Sequence, residues 1–527
     1  MTTPKVLIAD DLSPRAAEIF AERGIAADQR PGLKPPELVA AVHGYDGLAV
    51  RSAAKVTAEV LAAANGLKVV GRAGIGVDNI DVPAATQRGI VVMNTPHGNS
   101  ITTAEHAVAL MMALARQIPA ADKSTQAGKW EKSRFLGVEL AGKTLGIVGC
   151  GNIGAIVADR AHGLKMRVLA YDPFLSEERA RDLGVQKVEL DELLPRADFI
   201  TLHTPLTDQT RNIIDAKTLA RTRRGVRVVN CARGGLVNEA DLKAAIDSGQ
   251  VAGAALDVFA EEPARANPLF GLEQVIATPH LGASTAEAQE KVAVQIAEQM
   301  ADFLLTGAVS NALNMPSVTA EEAPRLRPYM ALARQLGSFA GQLTHSGLRA
   351  VTIEYEGHAA ELNTRPITAA ALAGLLTPLL DSVNMVNAPV LARERNIEVT
   401  EVRHDRAGDY QTLMRLAVTT DRRSRDIAGT LFGGDKPRIV EIKGIRVEAE
   451  LGRHMLYTTN EDKPGYIGRL GTLLGEAGIN IATFHLGRSA PGGDAIALIE
   501  VDQALGEPLL ARVRAIPGVK QAEALAF

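Results

Sequence analysis

The feature that most restricts the fold is segment 144–154, where an apolar strand-like run, 145–148, passes into Gly149-Cys-Gly151-Asn-Ile-Gly154 and then into a helical pattern. Such a glycine spacing alone occurs often by chance, but between a strand and a helix it has a definite physical sense. Gly149 makes the tight turn, Gly151 lets a pyrophosphate approach the backbone, and Gly154 lets the helix pack closely on the strand. The unpaired amides at the helix amino terminus then attract phosphate. Asp172 closes the next strand, 18 residues after Gly154. A carboxylate there accepts hydrogen bonds from ribose hydroxyls and repels a 2′-phosphate, so the pattern predicts a dinucleotide site that favours NAD over NADP.

The surrounding chain repeats the same alternation. Runs 5–9, 46–50 and 67–70 read as short buried strands separated by alanine-rich helical patterns. Runs 145–148, 167–171, 199–202, 226–229, 253–258 and 275–278 predict a second, doubly wound parallel sheet. Thr102-Thr-Ala-Glu105 and Ser284-Thr-Ala-Glu287 have the capping-box spacing, which places helix starts near 100 and near 284. At 527 residues one core is improbable. The reading is a doubly wound Rossmann-type domain, 99–281, inserted in a discontinuous, flavodoxin-like substrate domain, 1–98 and 282–316. An α/β module over 317–452 and a βαββαβ unit over 453–527 follow.

Composition narrows the partners. With 46% apolar and 22% charged residues and a net charge of -4, nothing points to nucleic acid or a membrane surface. The apolar stretch 107–115 is too short to span a bilayer, and no targeting segment is visible. Cys150 and Cys231 cannot build a disulfide framework, which suits a reducing cytoplasm; both read as buried filler.

Three further motifs follow successive strands of the second sheet: Asn230-Cys-Ala-Arg233-Gly-Gly235, Asp257-Val-Phe-Ala-Glu-Glu262-Pro, and Pro279-His280-Leu-Gly-Ala-Ser284. They converge on the carboxyl edge, where ligands bind in such sheets. A 2-hydroxy acid needs a cation to hold its carboxylate and a base to take its hydroxyl proton as hydride leaves. Arg233 and His280 suit those roles, and a carboxylate at Glu262 would fix the imidazole tautomer. Taken singly, each residue also has a structural reading: a salt bridge for Arg233, a solvated acidic pair for Glu262, a helix cap for His280.

Through these motifs the chain resembles the D-isomer-specific 2-hydroxyacid dehydrogenase family, in its long-form phosphoglycerate branch, over essentially its whole length. The resemblance implies that Arg233 binds and orients substrate, that His280 is the general acid/base and that Glu262 supports it. It also implies NAD contacts from Asn152, Ile153, Asp172, Thr204, Cys231, Ala232, Asp257 and Ile75, and from the turn of His280, Gly282 and Ala283. Asp257 is expected at the nicotinamide amide. Arg51, Arg72, Gly74 and Asn99 match positions that touch a phosphorylated substrate. Lys132 and Arg134 resemble a basic segment that reaches a neighbouring subunit's site, with a reading as solvated surface charge left open.

Asn460-Glu-Asp462-Lys-Pro-Gly465, followed by Gly478-Ile-Asn480, resembles the ligand loop of ACT domains, small amino-acid sensors. Asp462 would take an ammonium, and Asn480 with amides near Gly465 a carboxylate; a purely dimerising role is the other reading. Lys436, Arg438 and Lys443 are candidate anion ligands in the intervening module. The implied activity is oxidation of 3-phospho-D-glycerate (3-phosphoglycerate) by NAD to 3-phosphooxypyruvate, the first step of L-serine biosynthesis. L-serine is the implied effector, the assembly a homodimer or homotetramer, and no metal is required. The competing readings are a glyoxylate or hydroxypyruvate reductase of the same family and a non-catalytic NAD-sensing protein.

Overall fold

The computed structural model describes residues 3–319, 321–404 and 409–527. Contacts divide the chain into two compact units, one running to Arg72 with Gly76–Asn94 and Ile296–Phe527, the other Ala73–Ile75 with Thr95–Gln295.

In the first unit, β1 (Lys5–Ile8), β2 (Ala26–Gln29), β3 (Gly47–Val50), β4 (Val69–Arg72) and β5 (Val91–Asn94) form a parallel sheet in the order β2-β1-β3-β4-β5. This is the flavodoxin-like order expected of the substrate domain. β2 has no strand-like apolar pattern because it is an edge strand, Ala-Ala-Asp-Gln, mostly open to solvent.

The second unit holds a seven-stranded parallel sheet. Its strands are β6 (Thr144–Val148), β7 (Arg167–Tyr171), β8 (Gln186–Lys187), β9 (Phe199–Leu202), β10 (Val226–Asn230), β11 (Val251–Leu256) and β12 (Val275–Ala277). The order β12-β11-β10-β9-β6-β7-β8 reverses direction at β6. A crevice therefore opens at the carboxyl ends of β6 and β9, the usual dinucleotide site of a doubly wound sheet. Helix Ser100–Arg116 packs Ala104, Ala107, Leu110 and Leu114 into a core shared with Leu145 and Ile147 of β6 and with Val157 and Ala161 of helix Asn152–Gly163.

Both capping boxes are displaced. The first long helix starts at Ser100 with Asn99 as its cap, so Thr102 lies inside it. The Ser100 and Thr103 hydroxyls turn back to the carbonyls of Pro96 and Asn99 rather than to amides, which is the competing use of a hydroxyl in a first turn. In the second, Thr285 rather than Ser284 accepts from an amide, that of Ala288, at 3.2 Å, and the helix spans Ala286–Thr306.

The remaining strands belong to the first unit. β13 (Leu348–Gly357), β14 (Glu398–His404), β15 (Thr412–Thr420), β16 (Ser424–Phe432), β17 (Lys436–Ile442) and β18 (Ile445–Ala449) form a sheet that is antiparallel apart from the β13–β14 pair. Helices Glu322–Gln342 and Thr364–Leu376 cross so closely that a Cβ at Gly337, Gly341 or Gly374 would strike the opposite backbone. β19 (His454–Glu461), β20 (Ile481–Arg488), β21 (Asp494–Val501) and β22 (Val519–Ala526), with helices Tyr466–Glu476 and Glu507–Arg514, make the expected βαββαβ unit, ordered β20-β21-β19-β22. One hydrophobic cluster runs from Leu336 and Val447 through to Met455, Tyr457 and Leu498, and Phe339 meets Tyr457 edge-on at 5.4 Å. No helix among the described residues is long and apolar enough to cross a membrane.

Candidate active site

The glycine loop has three distinct local needs. Gly149 turns the chain at φ 92°, and a Cβ there would lie 2.6 Å from the His203 carbonyl oxygen. A Cβ on Gly154 would collide with the Gly149 carbonyl. A Cβ on Gly151 would meet no atom within 4 Å beyond the adjoining residues, so packing within the chain does not require glycine there. It faces a cleft of about 450 Å³ lined by His97, Ser100, Ile101, Cys150, Gly151, Asn152, Ala155, Ile156 and Arg179. That volume falls in the range of ligand sites. The amino terminus of the twelve-residue helix Asn152–Gly163 borders it.

Asp172 ties the end of β7 to this loop. Its Oδ2 accepts from the Cys150 amide at 2.8 Å and its Oδ1 from the Phe174 amide at 2.8 Å. Each oxygen keeps a lone pair for a ribose hydroxyl. Asn152 Nδ2 lies 3.3 Å from His97 Nδ1 and 3.4 Å from the Pro96 carbonyl, and Ile153 packs against the core. Burial, with Asp172 behind it, pushes the Cys150 thiol up to about 11, and burial beside Asp257 pushes Cys231 higher still. Both stay thiols near neutral pH, as filler should.

Arg233, Glu262 and His280 follow β10, β11 and β12, three adjacent strands. The Arg233 loop is closed by the buried Asn230. Its Nδ2 donates to the Arg233 carbonyl at 2.9 Å and its Oδ1 accepts from the Ala232 amide at 3.0 Å. Gly234 lies so near the Phe259 carbonyl that no side chain fits. Thr204 follows β9 and is half-buried.

His280 Nδ1 is 2.7 Å from Glu262 Oε2, and Glu262 Oε1 accepts from the Phe259 amide at 3.1 Å. Burial would raise the Glu262 carboxyl, but the bonds from His280 and Phe259 outweigh it and hold the group below the usual carboxylate range. An ionised Glu262 facing Nδ1 puts the imidazole proton on Nδ1 and leaves Nε2 as the basic atom. The His280 side chain is 50% exposed, so that atom is accessible.

His280 sits at φ 56°, a left-handed backbone that costs a non-glycine residue and clusters at functional sites. Asp257 holds it there. The Asp257 carbonyl accepts from the His280 amide at 2.9 Å, Oδ1 accepts from the Leu281 amide at 2.7 Å, and Oδ2 from the Gly282 amide at 2.8 Å. The Thr278 hydroxyl, 2.6 Å from Oδ1, and His106 Nε2, 3.2 Å from it, complete the shell. Asp257, expected at the nicotinamide amide, is thus a fully buried carboxylate that builds the turn carrying His280, with Ala283 half-buried just beyond. His106 and Arg179 escaped sequence reasoning. His106 sits in an unbroken helical pattern, and Arg179 is one arginine among five charged residues in helix Glu177–Asp182.

Arg51 and Arg72 stand at the carboxyl ends of β3 and β4 in the first unit, and the Arg51 amide donates to Asp10 Oδ2 at 2.6 Å. Gly74, at φ 135°, exchanges hydrogen bonds with Thr95, with half-buried Ile75 next to it. Asn99 is buried, and its Oδ1 has no partner among the described residues. Arg134 pairs with Glu131 at 3.0 Å and with Glu273 of its own chain, while Lys132 is exposed. In the βαββαβ unit Asp462 is already engaged by Arg488 at 2.9 Å and by the Gly492 amide at 3.1 Å. Asn480 donates to Asp502 at 3.0 Å, and Asn460 is buried within β19 rather than set in an open loop. Arg438 pairs with Glu450, Lys436 is exposed, and Lys443 lies 6.0 Å from the Tyr457 ring.

The chain matches the family model of the D-isomer specific 2-hydroxyacid dehydrogenase NAD binding domain over residues 108–282. It also matches the D-3-phosphoglycerate dehydrogenase intervening domain over 325–443 and the ACT domain over 454–518. It is 44% identical to the D-3-phosphoglycerate dehydrogenase of Synechocystis sp., over 99% of this chain and 94% of that protein. It is 43% identical to that of Archaeoglobus fulgidus, over 98% of each. Among solved structures, a glyoxylate reductase from Paecilomyes thermophila is similar at 29% identity with a TM-score of 0.56, covering 59% of this chain and 99% of its own.

Proposed function

The chain belongs to the D-3-phosphoglycerate dehydrogenases of the D-isomer-specific 2-hydroxyacid dehydrogenase family, and from that membership we propose the residues that perform its reaction and the effector that governs it. It is an NAD-dependent oxidoreductase that converts 3-phospho-D-glycerate to 3-phosphooxypyruvate in serine biosynthesis. The observation that carries the assignment of roles is the 2.7 Å His280–Glu262 pair on the same sheet edge as Arg233.

Arg233 binds the substrate carboxylate and orients C2, as a guanidinium fork suits. His280 Nε2 takes the C2 hydroxyl proton while Glu262 stabilises the imidazolium that results. NAD, when bound at the glycine loop, supplies the hydride acceptor. Asp172 takes the ribose, and the amides after Gly151 the phosphates. The family assigns the substrate's phosphoryl end to Arg51, Arg72 and Asn99.

The same reading divides the chain into a substrate domain (1–98 and 282–316), an NAD domain (99–281), an intervening domain and an ACT domain from 453. L-serine is the effector of that ACT domain, entering by displacing Arg488 from Asp462, and the protein is a cytoplasmic homodimer or homotetramer. A glyoxylate-reductase reading is disfavoured because that neighbour is spanned almost completely yet covers only 59% of this chain.

The test is NADH formation from 3-phosphoglycerate, glycerate and lactate, each with and without L-serine. Turnover of phosphoglycerate, depressed by serine in the wild type and not in Asp462→Ala, is the expected result. Turnover of glycerate or lactate without phosphoglycerate would overturn the substrate assignment, and indifference to serine would overturn the effector.

A further inference from the structure

Arg179 is the one strong cation on the cleft at the glycine loop, and the cofactor roles already assigned leave it without a task. Among the residues lining that cleft there is one guanidinium, one imidazole at His97 and no carboxylate. The Arg179 backbone is fixed by its amide bond to Ser176 Oγ at 3.1 Å. No salt bridge or side-chain hydrogen bond of Arg179 forms among the described residues, although Glu177 and Glu178 precede it; Glu177 faces Lys187 at 3.9 Å. Arg179 lines the same cleft as Cys150, whose amide donates to Asp172 Oδ2 at 2.8 Å, so the guanidinium and the ribose-binding carboxylate both belong to the glycine-loop end of the cleft.

A dinucleotide diphosphate carries about two negative charges, whereas a helix amino terminus offers roughly half a positive one. The glycine loop adds only the neutral amide of Asn152. We propose that Arg179 neutralises the diphosphate of the bound dinucleotide and so sets the affinity of this chain for ADP-containing ligands. The inference rests on the NAD reading of the cleft and goes beyond it by assigning the charge balance to one residue. Arg179 thus complements Asp172: the carboxylate selects the ribose, and the guanidinium holds the adjoining diphosphate.

The experiment is titration of NAD, ADP and adenosine into the full-length wild type and into Arg179→Gln and Arg179→Lys. Loss of a charge-assisted hydrogen bond to phosphate predicts about a tenfold weaker ADP and NAD affinity in Arg179→Gln. Adenosine should bind unchanged and Arg179→Lys should recover part of the loss. The wild-type ADP affinity should also fall more steeply with added salt than that of Arg179→Gln. Equal ADP affinity in wild type and Arg179→Gln would overturn the proposal, as would an equal loss for adenosine, which marks a structural effect. Failure of the wild type to bind NAD or ADP at all would overturn the cofactor reading itself, and the inference with it.

Discussion

At the scale of single residues, the proposed roles separate groups that touch the reaction from a group that positions them. His280 belongs to the first kind. His280→Asn removes the basic Nε2 while keeping a polar side chain, so kcat should fall by about 10²–10⁴-fold with NAD binding retained. Initial rates with a parallel NAD titration check this, and unchanged turnover would remove His280 from the mechanism. Asp257 is of the second kind. Burial raises its carboxyl, but His106, Thr278 and the Leu281 and Gly282 amides together bring it below its ordinary value. A depressed native carboxyl contributes stability that is fully present above the unfolded value, about pH 3.9, and is lost as pH falls through the lower native one. Asp257→Asn sets an NH2 group against amide donors and should lower stability by about 1–3 kcal/mol near neutral pH, with kcat falling as the His280 turn relaxes. Melting curves near neutral pH that superimpose on the wild type would show that Asp257 is no clamp. Sequence spacing singled out Arg233, Glu262 and His280 as candidates because each residue type suits 2-hydroxy acid chemistry at a sheet edge, and the three do follow adjacent strands. It named Asp257 as a cofactor contact and missed that its carboxylate also builds the His280 turn, since a buried carboxylate and a ligand-facing one look alike in a string of letters.

At the scale of elements, the strand–loop–helix unit at 144–163 was legible because each glycine answers a separate steric demand. That separation is itself testable. Gly151→Ala meets no atom of the chain within 4 Å and should melt like the wild type while raising the NAD KM about tenfold or more. Gly154→Ala drives a methyl into the Gly149 carbonyl and should lower the melting temperature as well as NAD affinity. Identical behaviour of the two variants, by differential scanning calorimetry and KM, would contradict the division of roles. Helix starts were read less well. Thr102 and Ser284 carry the capping-box letters, but Asn99 and Thr285 hold the cap positions: the Thr103 hydroxyl turns to the Asn99 carbonyl, and the Thr285 hydroxyl accepts from the Ala288 amide. β2 was illegible for a plainer reason: an exposed edge strand needs no apolar face.

At the scale of the whole molecule, the intervening module is not a loose appendage of the first unit. Asn384 Nδ2 donates to the Gly89 carbonyl at 2.8 Å, and the buried Asn387 reaches the Gln87 carbonyl at 3.2 Å, so the intervening module grips the end of helix Val82–Gln87. Gly89 is required there, because a Cβ would strike the Asn384 amide. Asn384→Ala removes that grip and should lower the melting temperature by about 2–6 °C, the equivalent of one or two hydrogen bonds in a unit of this size; an unchanged calorimetric transition would mean that the contact holds nothing. What the sequence alone determined was everything encoded locally: two parallel α/β sheets, the glycine loop, the βαββαβ tail, and the placing of Arg233, Glu262 and His280, the proposed catalytic trio, after successive strands. What only the tertiary structure decided was which polar side chains already have partners. Asp462 is held by Arg488, Arg134 by Glu131 and Glu273, and Asp257 by its own turn, whereas among the described residues Arg179 faces a cleft with none. Apart from Arg134–Glu131, these partners stand 24 to 139 residues apart, a distance that no local pattern in the chain records.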